Sequence, residues 1–126
     1  MRLMLLASAG GAIGAGARYL VNVGFMRWCA VEFPWGTLTI NAAGCLLMGV
    51  AVAVFLRHWP EASELRIFLT TGILGGFTTF SAFAMESVAL IERKAPMAAA
   101  LYVAGSVVLS IGACVVGLWL ARASLS

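Results

Sequence analysis

Charged side chains are scarce in this chain, which has 8 Lys and Arg and 5 Asp and Glu among its 126 residues. Soluble domains carry roughly a quarter charged residues, whereas here 10% are charged and 63% are hydrophobic. This composition excludes an ordinary soluble domain. The basic residues are dispersed, apart from the adjacent Arg93 and Lys94, so the net charge of +3 forms no basic stripe for nucleic acid.

Residues suited to metal binding and catalysis are equally few. The three cysteines, Cys29, Cys45 and Cys114, show no CxxC or Cys/His spacing, which argues against a metal site or a disulfide framework. Small apolar packing residues are the simpler interpretation. The sequence also lacks a Ser/His/Asp set, a carboxylate pair and an HExxH motif, so we predict that the chain is not an enzyme.

Four long apolar segments dominate the chain, at residues 3–26, 37–56, 67–91 and 97–121. Each is close to the roughly 20 residues that a helix needs to cross a bilayer. The polar connections contain or adjoin Trp28, Trp35 and Trp59, as is typical of membrane interfaces. The apolar run before Ala9 is too short for a signal peptide, so residues 1–126 are predicted to form one four-helix transmembrane domain.

Basic residues give almost no preference for one orientation in the membrane. With four spans, both termini and the middle connection share one side, which carries Arg2, Arg57, Arg66 and Arg122. The other side carries Arg27, Arg93, Lys94 and, leaning toward it from within the first span, Arg18. An excess of basic residues in short loops sets orientation. A four-against-four balance therefore predicts that copies insert both ways and meet as an antiparallel homodimer.

Glycines are concentrated in the first two spans. Gly10 and Gly14 have GxxxG spacing, and Gly44 and Gly49 leave one side of the second span without bulky side chains. Helices in lipid associate through close backbone approach at small residues. The sequence leaves open whether these glycines pack helices within one chain or between two copies.

The third apolar segment has a composition that disfavours a continuous helix. Residues 70–79 contain three glycines and four threonines; glycine costs about 1 kcal/mol relative to alanine, and β-branched threonine loses rotamer freedom. We predict a break near Gly75 to Thr79, where unsatisfied main-chain groups could form an ion site. The alternative is a packing kink satisfied by threonine hydroxyls.

Aromatic and amide side chains near this break are candidates for contacting an ion. Phe80 and Phe83 are three residues apart and share a face of the following half-helix, and their positive ring edges can receive an anion. Taken singly, each is more simply a packing or lipid-facing residue. Asn41 places an amide inside the second span, where it serves either an ion or an interhelix hydrogen bond.

The fourth span carries a polar stripe, because Tyr102, Ser106 and Ser110 follow i, i+4, i+8 spacing. The stripe alone is weak support, since serine can bond back to its own helix. Two charges lie within other spans. Arg18 is expected to face a vestibule or snorkel toward the interface, and Glu86 to pair with Arg18 or with a loop arginine.

Four sequence features together resemble the Fluc (CrcB) family of fluoride channels. They are the segments GGAIGAGARY (10–19), WGTLTIN (35–41) and GGFTTFSAF (75–83), and the tyrosine-serine-serine stripe of the fourth span. The resemblance covers essentially the whole chain, in the same order and spacing. One departure is Ala82, where the family frequently has threonine.

The resemblance implies an all-α membrane protein of four helices with the third broken, assembled as a dual-topology antiparallel homodimer with two pores. By this similarity the anion path is lined by Asn41, Thr79, Phe80, Ser81, Phe83, Tyr102, Ser106 and Ser110. A structural sodium ion would be held at the dimer centre by main-chain carbonyls of Gly75 and Thr78 from both copies. Arg18 matches the family's first-helix arginine and is expected in a vestibule.

The activity implied is passive, selective export of cytoplasmic fluoride across a bacterial-type inner (plasma) membrane. Fluoride is small and strongly hydrated, so a pore must replace its waters with amide and hydroxyl donors and ring edges. The main alternative is a small multidrug-resistance-like proton-coupled exporter, which needs an acid in the first helix that this chain lacks. A membrane scaffold, the third possibility, has no need for a broken helix beside Asn41 and a hydroxyl stripe.

Overall fold

The computed structural model describes residues 1–29 and 32–125 and consists there of apolar helices. Helix α1 is Arg2–Trp28, α2 is Trp35–His58 and α5 is Pro96–Leu125. Between α2 and α5 the third span is divided into α3 (residues 63–77) and α4 (Phe80–Glu92). All four spans are long and apolar enough to cross a membrane, which confirms that part of the prediction.

The third span is interrupted at two threonines. Thr78 (φ −73°, ψ 155°) and Thr79 (φ −148°, ψ 119°) are both extended, so the predicted break is confirmed. It lies at the end of the predicted interval, whereas Gly75–Phe77 remains helical. Close packing explains why the helix needs glycine there, because a Cβ on Gly76 would lie 2.5 Å from the carbonyl oxygen of Gly11.

Helix α3 also departs from regular α-helical geometry before the break. Its middle, Ile67–Leu74, is π-helical, between α-helical Ser63–Arg66 and Gly75–Phe77. A π-helix is wider than an α-helix and shifts the main-chain hydrogen bonds by one residue. The sequence did not predict this feature, because glycine and threonine content marks a weak helix without specifying its hydrogen-bond register.

The helices pack as two pairs, α1 against α3 and α2 along α5. Both pairs rely on glycine. A Cβ on Gly10 would lie 2.5 Å from the Phe68 carbonyl oxygen, and one on Gly49 would overlap the carbonyl oxygen of Cys114. The GxxxG pair and both glycines of the second span therefore pack within one chain, which was one of the two alternatives that the sequence left open.

Candidate functional site

Asn41 of α2 is joined to the extended main chain between α3 and α4. The N–H of Thr79 donates to Asn41 Oδ1 at 2.8 Å, and Asn41 Nδ2 donates to the Thr79 carbonyl oxygen at 2.9 Å. The side-chain amide thus substitutes for the helix partners that Thr79 lost, as buried main-chain groups require. One N–H of Nδ2 is left over, so Asn41 makes the interhelix hydrogen bond and still has a donor for a ligand.

Side chains from α2, α4 and α5 surround a groove of about 230 Å³ beside this junction. Its lining consists of Asn41, Cys45, Thr78, Thr79, Phe80, Phe83, Ser106, Val107 and Ser110. The structure thus gathers six of the eight residues predicted for the anion path. Cys45 is an addition, since the sequence indicated only a packing role for it.

Phe80 and Phe83 lie on the same side of α4, as predicted, with ring centroids 5.4 Å apart. The Phe83 ring in turn contacts Tyr102 of α5, also with centroids 5.4 Å apart. The two phenylalanines differ in burial, because Phe83 is half-buried whereas Phe80 is 79% exposed. A large aromatic ring that is so exposed beside the groove has room for a further contact.

The polar stripe of α5 faces inward. Tyr102 is fully buried, Ser106 is 5% exposed and Ser110 is half-buried. The Ser106 hydroxyl has no hydrogen-bond partner within the described part of the chain, and it does not bond back to its own helix as serine often does. A buried hydroxyl without a partner costs about 1–3 kcal/mol, so the Ser106 hydroxyl is available to a ligand in the groove.

Ser81 lies at the edge of this arrangement. It is exposed at the start of α4, outside the groove lining, and its Oγ is 3.3 Å from Thr79 Oγ1. Thr79 Oγ1 also accepts from the N–H of Ala82 at 3.2 Å and so caps α4. Capping involves only the main chain of Ala82, and it is therefore compatible with alanine in place of the family's frequent threonine.

Glu86 does not pair with Arg18 or with a loop arginine, contrary to the expectation from sequence. Its carboxylate accepts from Thr37 Oγ1 at 2.8 Å and from the Tyr102 hydroxyl at 2.6 Å. The break explains the difference, because it allows α4 to bring Glu86 to Thr37 of α2 and Tyr102 of α5. Arg18 is half-buried on the other side of the break, where its Nη1 donates to the Thr78 carbonyl oxygen at 3.4 Å.

Thr37 and Glu86 are site residues that sequence reasoning missed. Thr37 lies one turn before Asn41 on α2, and Glu86 one turn after Phe83 on α4. Helical spacing from residues already identified could have indicated both. Their partner Tyr102 belongs to the predicted path, so this hydrogen-bonded triad lies one turn along the same three helices from the groove.

The triad gives a prediction about stability. Thr37 is 1% exposed and Tyr102 0% exposed, so Glu86→Ala leaves two buried hydroxyls without their acceptor. We expect the free energy of unfolding to fall by about 2 kcal/mol or more, at roughly 1–3 kcal/mol per stranded group, in an SDS titration of the purified protein.

Glu92→Ala is the matched control for that measurement, because Glu92 is exposed at the end of the same helix and should change stability little. Glu86→Gln retains an acceptor and should recover most of the loss. Equal stability of Glu86→Ala and Glu92→Ala would show that the triad does not stabilise the fold.

The predicted sodium ligands can be compared with the geometry of the break. In a continuous helix the Thr79 N–H would bond to the Gly75 carbonyl; here it donates to Asn41 instead, which frees the carbonyl of the exposed Gly75. The Thr78 carbonyl is shared with Arg18. Main-chain carbonyls at broken helices are suitable sodium ligands, so each chain offers one freed and one shared oxygen. The Gly75 and Thr78 carbonyls of one chain therefore fit half of the ligand set expected for the sodium ion.

Comparison with known proteins identifies related sequences over nearly the whole chain. The profile of the family described as "CrcB-like protein, Camphor Resistance (CrcB)" matches residues 5–118. The chain is 49% identical over 119 residues to the Fluoride-specific ion channel FluC of Nitrobacter winogradskyi, covering 94% of each chain. It is 46% identical over 126 residues to the protein of that name from Rhodospirillum centenum, covering 100% of both. The family profile and these identities show that this chain belongs to the CrcB-like family.

Proposed function

We propose that this chain is a fluoride-selective ion channel through which cytoplasmic fluoride leaves the cell passively. The single observation that carries the proposal is the buried hydroxyl of Ser106 in the groove, which has no hydrogen-bond partner among the described residues. The same groove is lined by Asn41, whose amide has one N–H left over, and by Phe80 and Phe83. The relatives named as fluoride-specific ion channels, at 46–49% identity over nearly the full length, support the same ion.

The chemistry of the groove is appropriate for conducting a small anion. Its lining, among the described residues, consists of neutral side chains. The amide and hydroxyl groups among them can donate hydrogen bonds without the strong attraction of a buried cation. Conduction requires binding that replaces hydration yet remains weak enough for release. The Glu86 carboxylate is held by Thr37 and Tyr102 one turn away, and an anion passing there would compete for the same two hydroxyls.

The functional unit in this proposal is an antiparallel, dual-topology homodimer with two pores. The groove is open on the side where Phe80 is 79% exposed, and Ser81 and Gly75 are exposed beside it. A second, inverted copy would cover these residues and complete each anion path. It would also bring the Gly75 and Thr78 carbonyls of both chains together around a sodium ion, which would supply positive charge to offset the exposed main-chain oxygens.

The cellular location follows from the same proposal. The four apolar spans and the channel relatives indicate a multi-pass membrane protein. Export of cytoplasmic fluoride places it in the bacterial inner (plasma) membrane.

Ion flux from proteoliposomes tests the function directly. We expect liposomes containing the purified protein to release fluoride, measured with an ion-selective electrode, while chloride-loaded liposomes release little. Absence of fluoride flux, or equal fluoride and chloride flux, would refute the channel. Proton-driven export of an organic cation in the same vesicles would instead support the multidrug-resistance-like alternative.

The variant Ser106→Ala tests whether the Ser106 hydroxyl binds the ion or stabilises the fold. Because this hydroxyl has no partner within the described residues, its removal should leave the unfolding midpoint unchanged or slightly raised. Fluoride efflux should fall roughly tenfold, as expected when one hydrogen bond to a charged group, worth about 1.5–3 kcal/mol, is lost.

Ser87→Ala is the matched control for this variant. The Ser87 hydroxyl donates to the Phe83 carbonyl oxygen of its own helix at 2.7 Å, and it lies outside the groove lining. We expect its flux to remain close to that of the parent protein. Parental flux in Ser106→Ala would remove Ser106 from the anion path.

A further inference from the structure

Two arginines line one cavity at an end of the helix bundle. Arg57 of α2 and Arg122 of α5, with Ala53 and Leu125, surround a space of about 140 Å³. Both arginine side chains are exposed, and within residues 1–29 and 32–125 neither forms an ion pair; the ion pair found there joins Arg2 to Glu64. The cavity therefore has two positive charges that this part of the chain does not neutralise.

Flanking tryptophans indicate the depth of this cavity in the membrane. Trp59 follows Arg57 by two residues and is 54% exposed, and Trp119 precedes Arg122 by one turn and is 66% exposed. Tryptophan is enriched where the hydrocarbon meets the headgroups. Both helices thus place their arginine at headgroup level, with apolar Ala53 and Leu125 beside the two charges.

Among the residues that the structure describes, acidic side chains at the same end of the bundle do not offset these charges. Glu64 is bound to Arg2 at 3.1 Å, and Glu61 is exposed and does not line the cavity. The carbonyl ends of α2 and α5 are negative and favour arginine there. The partial charges of these helix ends neutralise only part of the charge of the two guanidinium groups, so the cavity still attracts an anion.

We propose that this cavity binds the phosphate of an anionic phospholipid. Guanidinium groups present a planar set of donors that matches phosphate oxygens, and basic pockets between transmembrane helices bind anionic headgroups. Apolar Ala53 favours a lipid over free phosphate, because it lies one turn deeper in the span than Arg57 and can contact the first acyl carbons. The inference concerns an end of the bundle remote from the groove, and it does not depend on the channel proposal.

The test measures lipid binding by the intact chain. The protein in a neutral detergent is titrated with phosphatidylglycerol or phosphatidylcholine, and bound lipid is counted by native mass spectrometry. We expect phosphatidylglycerol to bind preferentially to the parent protein. The double variant Arg57→Gln with Arg122→Gln should weaken that binding roughly 30-fold. This factor corresponds to about 1 kcal/mol of binding free energy for each arginine removed.

Arg2→Gln with Arg66→Gln is the matched control, because it removes the same charge from the same side of the chain while leaving the cavity intact. Its binding should change little, and Arg57→Lys with Arg122→Lys should retain much of the affinity. Circular dichroism verifies that each variant is folded. Equal weakening by both glutamine pairs would show diffuse surface charge, and displacement of phosphatidylglycerol by equimolar inorganic phosphate would show a phosphate site without lipid specificity; either result overturns the proposal.

Discussion

Asn41→Asp is expected to reduce fluoride efflux by about a hundredfold or more, because two unfavourable effects coincide at one atom. The substitution replaces Nδ2 by a carboxylate oxygen, which then faces the Thr79 carbonyl oxygen instead of donating to it at 2.9 Å. It also places negative charge in a groove proposed to conduct an anion. Loss of a donor to a charged ligand alone is worth about 1.5–3 kcal/mol, or roughly 10- to 100-fold, and charge repulsion adds to this.

Initial efflux rates from proteoliposomes measure this effect, with size-exclusion chromatography to verify folding. Asn22→Asp makes the same change in α1, outside the groove lining but in the neighbouring cavity that Asn22 shares with Thr37 and Glu86. Its variant should conduct better than Asn41→Asp, because its charge does not enter the groove. A folded Asn41→Asp protein with parental flux would exclude the Asn41 amide from the anion path.

The spans of this protein were predictable from sequence because hydrophobicity acts locally along the chain. Residues 3–26, 37–56 and 97–121 lie within α1, α2 and α5, and 67–91 lies within the interrupted third span. Any helix of this length and composition is driven into lipid by its own residues. No tertiary contact had to be known for that prediction.

The position of the break depended on contacts that sequence does not display. Low helix propensity indicated the interval from Gly75 to Thr79, yet Gly75–Phe77 stays helical because Gly76 packs against Gly11. The helix opens at Thr78 and Thr79, where Asn41 can satisfy both main-chain groups of Thr79. Propensity thus located the weak segment, and packing with hydrogen bonding selected the residues that open.

The candidate site shows the same division between local and long-range information. Phe80 and Phe83, and the stripe of Tyr102 and Ser106, were found by helical spacing, and their predicted faces agree with the structure. The prediction for the partner of Glu86 was wrong. Charge pairing suggested an arginine, whereas the break in the third span brings two hydroxyls to the carboxylate. The sodium site and the dimer remain predictions, since both require a second chain.

Gly14→Ala tests the packing that keeps the break in place, and we expect a large loss of stability. A Cβ on Gly14 would overlap the carbonyl oxygen of Ile73 and lie 2.7 Å from the main-chain nitrogen of Phe77. Both neighbours are backbone atoms that cannot rotate away, so α1 and α3 must separate. We expect the free energy of unfolding to fall by about 3 kcal/mol, at the upper end for overpacking, in an SDS titration.

Gly24→Ala is the matched control, because it makes the same change in the same helix at a position where a Cβ meets nothing within 4 Å. Its stability should be unchanged or higher by up to about 1 kcal/mol, because alanine is a better helix former than glycine. Since Phe77 directly precedes the extended Thr78, separation of α1 from α3 should also weaken the hydrogen bond from Arg18 to the Thr78 carbonyl. If Gly14→Ala were as stable as Gly24→Ala, close α1–α3 contact could not be what positions the break.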